Sequence, residues 1–359
     1  MGITVLPRLG LTVLLLFPFL SSAQNRRSAT PSGAGPASLG RNAQVASELI
    51  RGKNFSKASE VLEAVIRSKP LCGPQFYMDL ATCRLNMQEK DRAVETCERG
   101  LELYPESSRL DRFYVALLRA TCTKGERKVR LGRGLQRKPN SPVYMIALSE
   151  VLLAEDPVGL QAQIEPLVRK AALALPLDPE AHYLYGQWAC LNDRHEVSIR
   201  ELTRALALIQ DNDRARMQTC TYLAITYERL GEPAKAEQAY RDAIALNRGL
   251  PSPEPGTLMQ YAKFLQDEQR EAEAQEVITE ILRFAPSFGL AHLERGKFLA
   301  GREEMEAALA EGELALRYAG DDVIRQRAAH AFLARAYNAL GRAEQAKLHL
   351  EWIESRSRR

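Results

Sequence analysis

The chain has 359 residues, 45% of them hydrophobic, 7% aromatic and 26% charged, with a formal net charge of +4. Windows rich in Ala, Leu, Glu and Arg carry helical periodicity without strand-like alternation, which excludes a β fold, and the length exceeds one comfortable globular core unless the chain is an array of repeats. Arg8, Arg26 and Arg27 at the head and Arg356, Arg358 and Arg359 at the tail leave the stretch between them at −2, so no nucleic-acid partner is expected, since that would need a clustered basic face on the repeats.

Behind Arg8, Leu9 to Leu20 is an apolar run that ends in Ser21-Ser22-Ala23-Gln24. Ser21 and Ala23 are the small residues a signal peptidase needs, so residues 1–23 read as an export signal, and the expected location is the periplasm or the outside of the cell. A membrane span needs about 20 apolar residues, which makes an uncleaved anchor the second reading, and a membrane partner is expected only in that case. Residues 24–39, with Arg26, Arg27 and a Ser-, Gly- and Pro-rich stretch, read as a flexible linker with too few apolar side chains to fold.

Beyond residue 40 a small residue recurs seven times twelve positions after another: Ala46 and Ala58, Ala81 and Ala93, Gly186 and Ser198, Ala224 and Ala236, Ala262 and Ala274, Gly296 and Ala308, Ala334 and Ala346. Two antiparallel helices joined by a short turn approach to about 8–10 Å only where the side chains at their crossing are small, so each pair predicts one helical hairpin. Nine hairpins follow, over 40–70, 74–105, 107–139, 141–176, 179–211, 214–248, 254–286, 288–320 and 321–355. Two depart from the pattern. Val115 and Arg127 stand at the twelve-spaced positions of the third, and in the fourth Ala147 pairs with Leu167 across a longer turn, Ala154 to Leu160. Residues 249–256, with Pro251, Pro253 and Pro255, cannot continue a helix and read as a connection between an array at 40–248 and another at 257–355, a candidate joint between two rigid halves. A basic tail, 356–359, closes the chain.

The residues around the small pairs resemble a known family. Cys220, Leu223, Ala224 and Tyr227, followed by Ala236, Tyr240 and Ala243, are similar to the tetratricopeptide pattern W-x2-L-G-x2-Y…A-x3-F with Cys in place of Trp. Leu258, Tyr261, Ala262 and Leu265 with Ala274, Ile278, Ile281 and Pro286 repeat it, as do His330, Leu333, Ala334 and Tyr337 with Gly341, Ala346 and Leu350, and His182, Tyr185, Gly186 and Ala189 open a further unit. The resemblance covers roughly 40–355 and implies an all-α, right-handed superhelical solenoid whose first helices line a concave, partner-binding groove.

Side chains of the first helices that point away from the second helices then select the candidate binding residues: Arg109, Arg112 and Arg119, Tyr183 and Gln187, Gln218, Glu228 and Arg229, Lys263 and Gln266, and Arg335 and Asn338. Arg, Tyr and Gln make directional contacts with a peptide backbone and its carboxylates. No pair of neighbouring units supplies the Lys, Asn and Arg set of a terminal-carboxylate clamp. Leu348, Leu350 and Trp352 in the last hairpin, with no polar capping helix after them, suggest self-association.

Catalytic and metal chemistry find no footing. The histidines, His182, His195, His292, His330 and His349, lie far apart, with no His-Glu-x-x-His or Cys-x-x-Cys spacing, and three of them take the place of the large residue early in a first helix. No catalytic residue, metal or cofactor is expected. Six cysteines in an exported chain raise a bridge from Cys122 to Cys83 or Cys97 as a minor alternative to buried thiols. The expected function is a non-catalytic protein-interaction scaffold of an exported or envelope complex that binds a peptide segment or helix. The alternatives are a membrane-tethered organiser of secretion or envelope assembly, and an accessory subunit or cryptic enzyme using Glu303, Glu304 or the histidines.

Overall fold

The structure, a computed structural model, describes residues 36–357. The export signal read at 1–23, the linker up to residue 35, and Arg358 and Arg359 of the tail lie outside the described residues. The described residues form eighteen α-helices in nine hairpins. In the first four, α1 (Pro36–Arg51) pairs with α2 (Phe55–Ser68), α3 (Pro74–Asn86) with α4 (Lys90–Leu103), α5 (Ser108–Thr121) with α6 (Lys124–Arg137), and α7 (Pro142–Leu153) with α8 (Gln161–Ala174). The other five are α9 (Pro179–Leu191) with α10 (His195–Leu208), α11 (Asp213–Leu230) with α12 (Pro233–Gly249), α13 (Pro255–Asp267) with α14 (Glu271–Phe284), α15 (Gly289–Gly301) with α16 (Met305–Arg317), and α17 (Val323–Ala339) with α18 (Ala343–Ser357). No described helix is long and apolar enough to cross a membrane.

All seven small pairs are buried at helix crossings, with Ala46, Ala58, Ala81, Ala93, Ala224, Ala236 and Ala274 fully excluded from solvent. At the fifth hairpin the approach is close enough for the Ser198 hydroxyl to donate to the Gly186 carbonyl at 3.0 Å, and a Cβ on Gly186 would stand 2.5 Å from Leu202 Cγ. Seven residues after each first small residue the backbone turns left-handed, at Lys53, Gln88, Asp193, Gly231, Gln269, Glu303 and Gly341. That one residue reverses the chain between the helices, and in two of the seven hairpins it is the glycine that the conformation favours. Helix starts are fixed by side-chain caps from Asn54, Ser107, Asp178, Asn212 and Asp322, and by a reciprocal Thr123–Glu126 box at α6. Pro36 opens α1 four residues inside the stretch read as linker, a position where its missing N–H costs nothing.

The chain divides into two compact units, one ending at Pro176 and one beginning at Leu177. In the first, Leu62, Ile66, Tyr77 and Leu80 fill the interior of α1–α4, and Leu101, Leu110, Tyr114, Leu118 and Leu131 carry it into α5–α7. The third hairpin shows the consequence of Val115 and Arg127 at its crossing, since α5 and α6 pack against each other least of the nine pairs. Polar contacts, most of them to the neighbouring hairpins, hold it instead. Glu98 accepts from Tyr114 Oη and Arg130 Nη1, both at 2.6 Å, and the buried Asp111 carboxylate accepts from Lys138 Nζ at 2.5 Å and Tyr144 Oη at 2.9 Å. In the fourth, the long turn occupies residues 154–160 and Leu167 is only half-buried, while Ser149 and Ala171 are buried.

In the second unit, Tyr240, Ile244, Leu258, Tyr261, Phe264 and Ile278 form one continuous core through α11–α15. That core runs beneath the Pro-rich connection, which spans only residues 250–254 between α12 and α13. Asn247, fully buried, clamps its far end by donating to the Glu254 carbonyl at 3.1 Å and accepting from the Glu254 N–H at 2.7 Å, while Arg214 Nη2 donates to the Ser252 carbonyl at 3.2 Å. The joint expected at 249–256 is therefore a strapped turn inside one unit, and the division falls after Pro176.

Candidate partner-binding surface

Three candidate residues belong to the first unit. Arg109, Arg112 and Arg119 are exposed on α5, and Arg119 Nη2 is already paired with Glu150 Oε2 of α7 at 2.6 Å. Arg109 acts on Asp79 of α3, whose carboxyl burial pushes above its ordinary range, partly offset by a 2.5 Å bond from Gln75 Nε2 and by Arg109 itself.

The other nine lie in the second unit, and the structure separates them into two groups. Tyr183, Gln187 and Arg229 tie neighbouring hairpins together, and Glu228 ties the two helices of its own hairpin. Tyr183 is 9% exposed and meets the Tyr222 ring edge-on at 5.9 Å, and Gln187 Nε2 donates to Tyr222 Oη at 2.7 Å. Arg229 Nη1 donates to the Cys190 carbonyl at 2.7 Å and to Asp193 at 2.9 Å. Glu228 accepts from Tyr240 Oη at 2.9 Å, and its carboxyl is pushed up, mainly by burial and also by Asp267, with Lys263 and Arg229 acting the other way. The remaining five present their polar groups outward. Lys263, Arg335 and Asn338 are exposed, and Gln218 and Gln266 are half-buried.

Gln266 lines an open cleft of about 500 Å³ with Glu294, Lys297 and Phe298 of α15 and Arg302 beyond it. The Arg302 guanidinium lies 5.6 Å from the centre of the Phe298 ring, and Lys297 Nζ pairs with Glu294 at 2.6 Å. The arrangement can receive backbone amides and carboxylates from an extended chain. Glu271, which also lines the cleft, accepts from Gln275 Nε2 at 3.4 Å.

A family model for the tetratricopeptide repeat matches residues 74–107 and 218–249, which are the α3–α4 and α11–α12 hairpins. Two of the described hairpins match the tetratricopeptide repeat. The crystal structure of the APC/C hetero-tetramer Cut9-Hcn1 is similar in fold, with a TM-score of 0.52 and 15% identity over 82% of this chain and 55% of that one, so the chain spans about half the length of that neighbour. No curated protein matches.

The residue after each first small residue falls at one register position of the first helices. Gln187, Ile225, Lys263, Lys297 and Arg335 occupy it from the fifth to the ninth hairpin. Lys297 was legible in that register, one place after Gly296, yet it escapes a reading made unit by unit. Tyr222 and Asp267 were not legible, because their roles depend on contact with the adjoining repeat.

The histidines also take their places by repeat position. His182, His292 and His330 sit at the same point of their first helices, and each Nδ1 meets a residue nineteen positions on: Glu201 at 2.7 Å, Glu311 at 2.6 Å and His349 at 2.7 Å. In the last hairpin Trp352 stacks on His330 at 4.0 Å and the Arg356 guanidinium lies 4.3 Å from the indole centre, so Trp352 belongs to this cluster, whereas Leu348 and Leu350 are exposed. Among the described residues no group of three His, Cys, Asp or Glu side chains could hold a metal ion. The six cysteines are free thiols, and burial raises Cys83 and Cys220 to about 11. Glu303 is the exposed left-handed turn residue and Glu304 pairs with Arg302 at 3.0 Å.

Proposed function

We propose that the chain is a non-catalytic protein-interaction scaffold of an exported or envelope complex, and that the inner line of first helices in its second unit binds an extended, carboxylate-bearing segment of a protein partner. The observation that carries this reading is the run of cations Lys263, Lys297 and Arg335 at the same register position of three consecutive first helices. Adjacent packed helices stand about 8–10 Å apart, and a segment in the polyproline-II conformation advances about 3.1 Å per residue with about three residues per turn, so a carboxylate at every third residue would lie on one side of it and meet successive cations. The half-buried Gln218 and Gln266 amides and the Phe298 ring beside that line suit backbone and apolar contacts. The tetratricopeptide repeats and the repeat assembly that is similar in fold support a scaffold role, and the apolar run behind Arg8 supports export.

The test is crosslinked capture from the host's envelope fraction by the mature chain and by Lys263→Glu/Lys297→Glu/Arg335→Glu. Partners identified by mass spectrometry are lost with the charge-reversed chain if the line binds them. Equal capture by both chains contradicts the assignment.

A further inference from the structure

The balanced charge of the repeats conceals one unit that is not balanced. Residues 107–139 carry ten Lys and Arg against two acids, Asp111 and Glu126, and α6 alone carries six cations against one acid. Four of the ten are paired: Arg119 with Glu150, Lys128 with Glu155, Arg130 with Glu98 and Lys138 with Asp111. Among the described residues Lys124, Arg133 and Arg137, all exposed on α6, have no salt bridge.

Beside these cations the same hairpins leave an open cleft of about 480 Å³ between α6, α7 and α8. Its walls are apolar, from Leu135, Met145, Leu148, Pro166 and Leu167, and Lys170 stands at the edge. Gly132 helps to keep it open, since a Cβ there would meet no atom within 4 Å. Arg133 follows the cleft residue Gly132 by one position, which turns it about 100° around α6 from the cleft to its rim. Cations on both sides of an apolar cleft fit an acidic segment with an aliphatic anchor. Nucleic acid is disfavoured because none of the lining side chains is aromatic and so none can stack on a base.

We propose that this face of α6–α8 is a second docking surface, which takes an acidic peptide segment and seats one of its aliphatic side chains in the cleft. It uses none of the residues assigned to the first helices of the second unit, and it stands or falls separately from that assignment.

Random peptides displayed on phage are selected on the full chain and counter-selected on Arg133→Glu/Lys170→Glu. The enriched peptides should be acidic and carry Leu, Ile or Met. A synthetic consensus peptide, followed by fluorescence anisotropy, should lose about tenfold or more in affinity with the double charge reversal. It should lose as much with Gly132→Leu, which fills the cleft while favouring the helix, and nothing with Lys263→Glu/Lys297→Glu/Arg335→Glu. Absence of enrichment, peptides without acidic residues, or affinity unchanged by Gly132→Leu would overturn the proposal. So would an oligo-dT strand or a phosphatidylserine vesicle that binds more tightly than the peptide and is indifferent to Gly132→Leu.

Discussion

At the scale of single residues, the fold depends on side chains that are absent or nearly so. A methyl group on Gly186 would press on Leu202 Cγ at 2.5 Å and on the Leu202 backbone nitrogen at 3.1 Å, and one on Gly134 would enter the Tyr144 ring at 2.5 Å. Gly186→Ala and Gly134→Ala should each destabilise by about 1–3 kcal/mol, the usual cost of overpacking, although alanine is the better helix former. Thermal unfolding tests this, and an unchanged or raised Tm would contradict the helix approach at these sites. The turns make the opposite prediction. Gln88 and Gln269 hold φ of 64° and 62° where a side chain is disfavoured, so Gln88→Gly and Gln269→Gly should each stabilise by about 1 kcal/mol. The twelve-residue spacing of small residues was fully legible, because it follows from chain geometry within one hairpin. The left-handed turn was legible only at Gly231 and Gly341, since Lys, Gln, Asp and Glu at the other five positions carry no such signal.

At the scale of the element, the last hairpin differs from its relatives in chemistry. His182 and His292 face carboxylates, but His330 faces a second imidazole. The ring of His330 is pushed down to about 4, first by burial and then by His349 and Arg356, and His349 is also lowered by burial, with Glu313 of α16 opposing. Tyr337, stacked on His349 at 5.6 Å and donating to Glu313 at 3.1 Å, completes the groups around the pair. Both rings titrate below their unfolded values, so their contribution to holding α18 is complete above about pH 6.5 and is lost as the pH falls from there towards 4. Amide exchange in α18, corrected for its intrinsic rate, should therefore accelerate over that interval while α10 and α16 hold. His349→Glu, which restores the pairing of the other hairpins, should remove the effect, and an α18 that tracks α16 throughout would contradict it. The sequence placed the three histidines at one repeat position but not their partners on the second helix, because a partner nineteen residues away is recognised only once the hairpin closes.

At the scale of the whole molecule, repeat number and hairpin order were legible from end to end, while charge was misleading. A net charge of −2 over the repeats balanced the cations of the third hairpin against acids elsewhere, and the place of the connection at 250–254 depended on Asn247, a residue with no sequence signature of a clamp. Among the candidate groove residues Lys263 and Arg335 are exposed and Gln266 is half-buried, whereas Tyr183, Gln187 and Arg229 are held by a neighbouring repeat and Glu228 by Tyr240 of its own hairpin, partners that the repeat pattern does not show. The most direct measurement places a photo-crosslinking phenylalanine analogue, one site at a time, at Lys263, Lys297 and Arg335 on the first helices and at the exposed Ala245, Thr279 and Ala310 on the second helices. Crosslinks to the captured partner from the first three sites and not from the other three are the result predicted here. Crosslinks from Ala245, Thr279 or Ala310 alone would move the binding face to the opposite side of the repeats and contradict it.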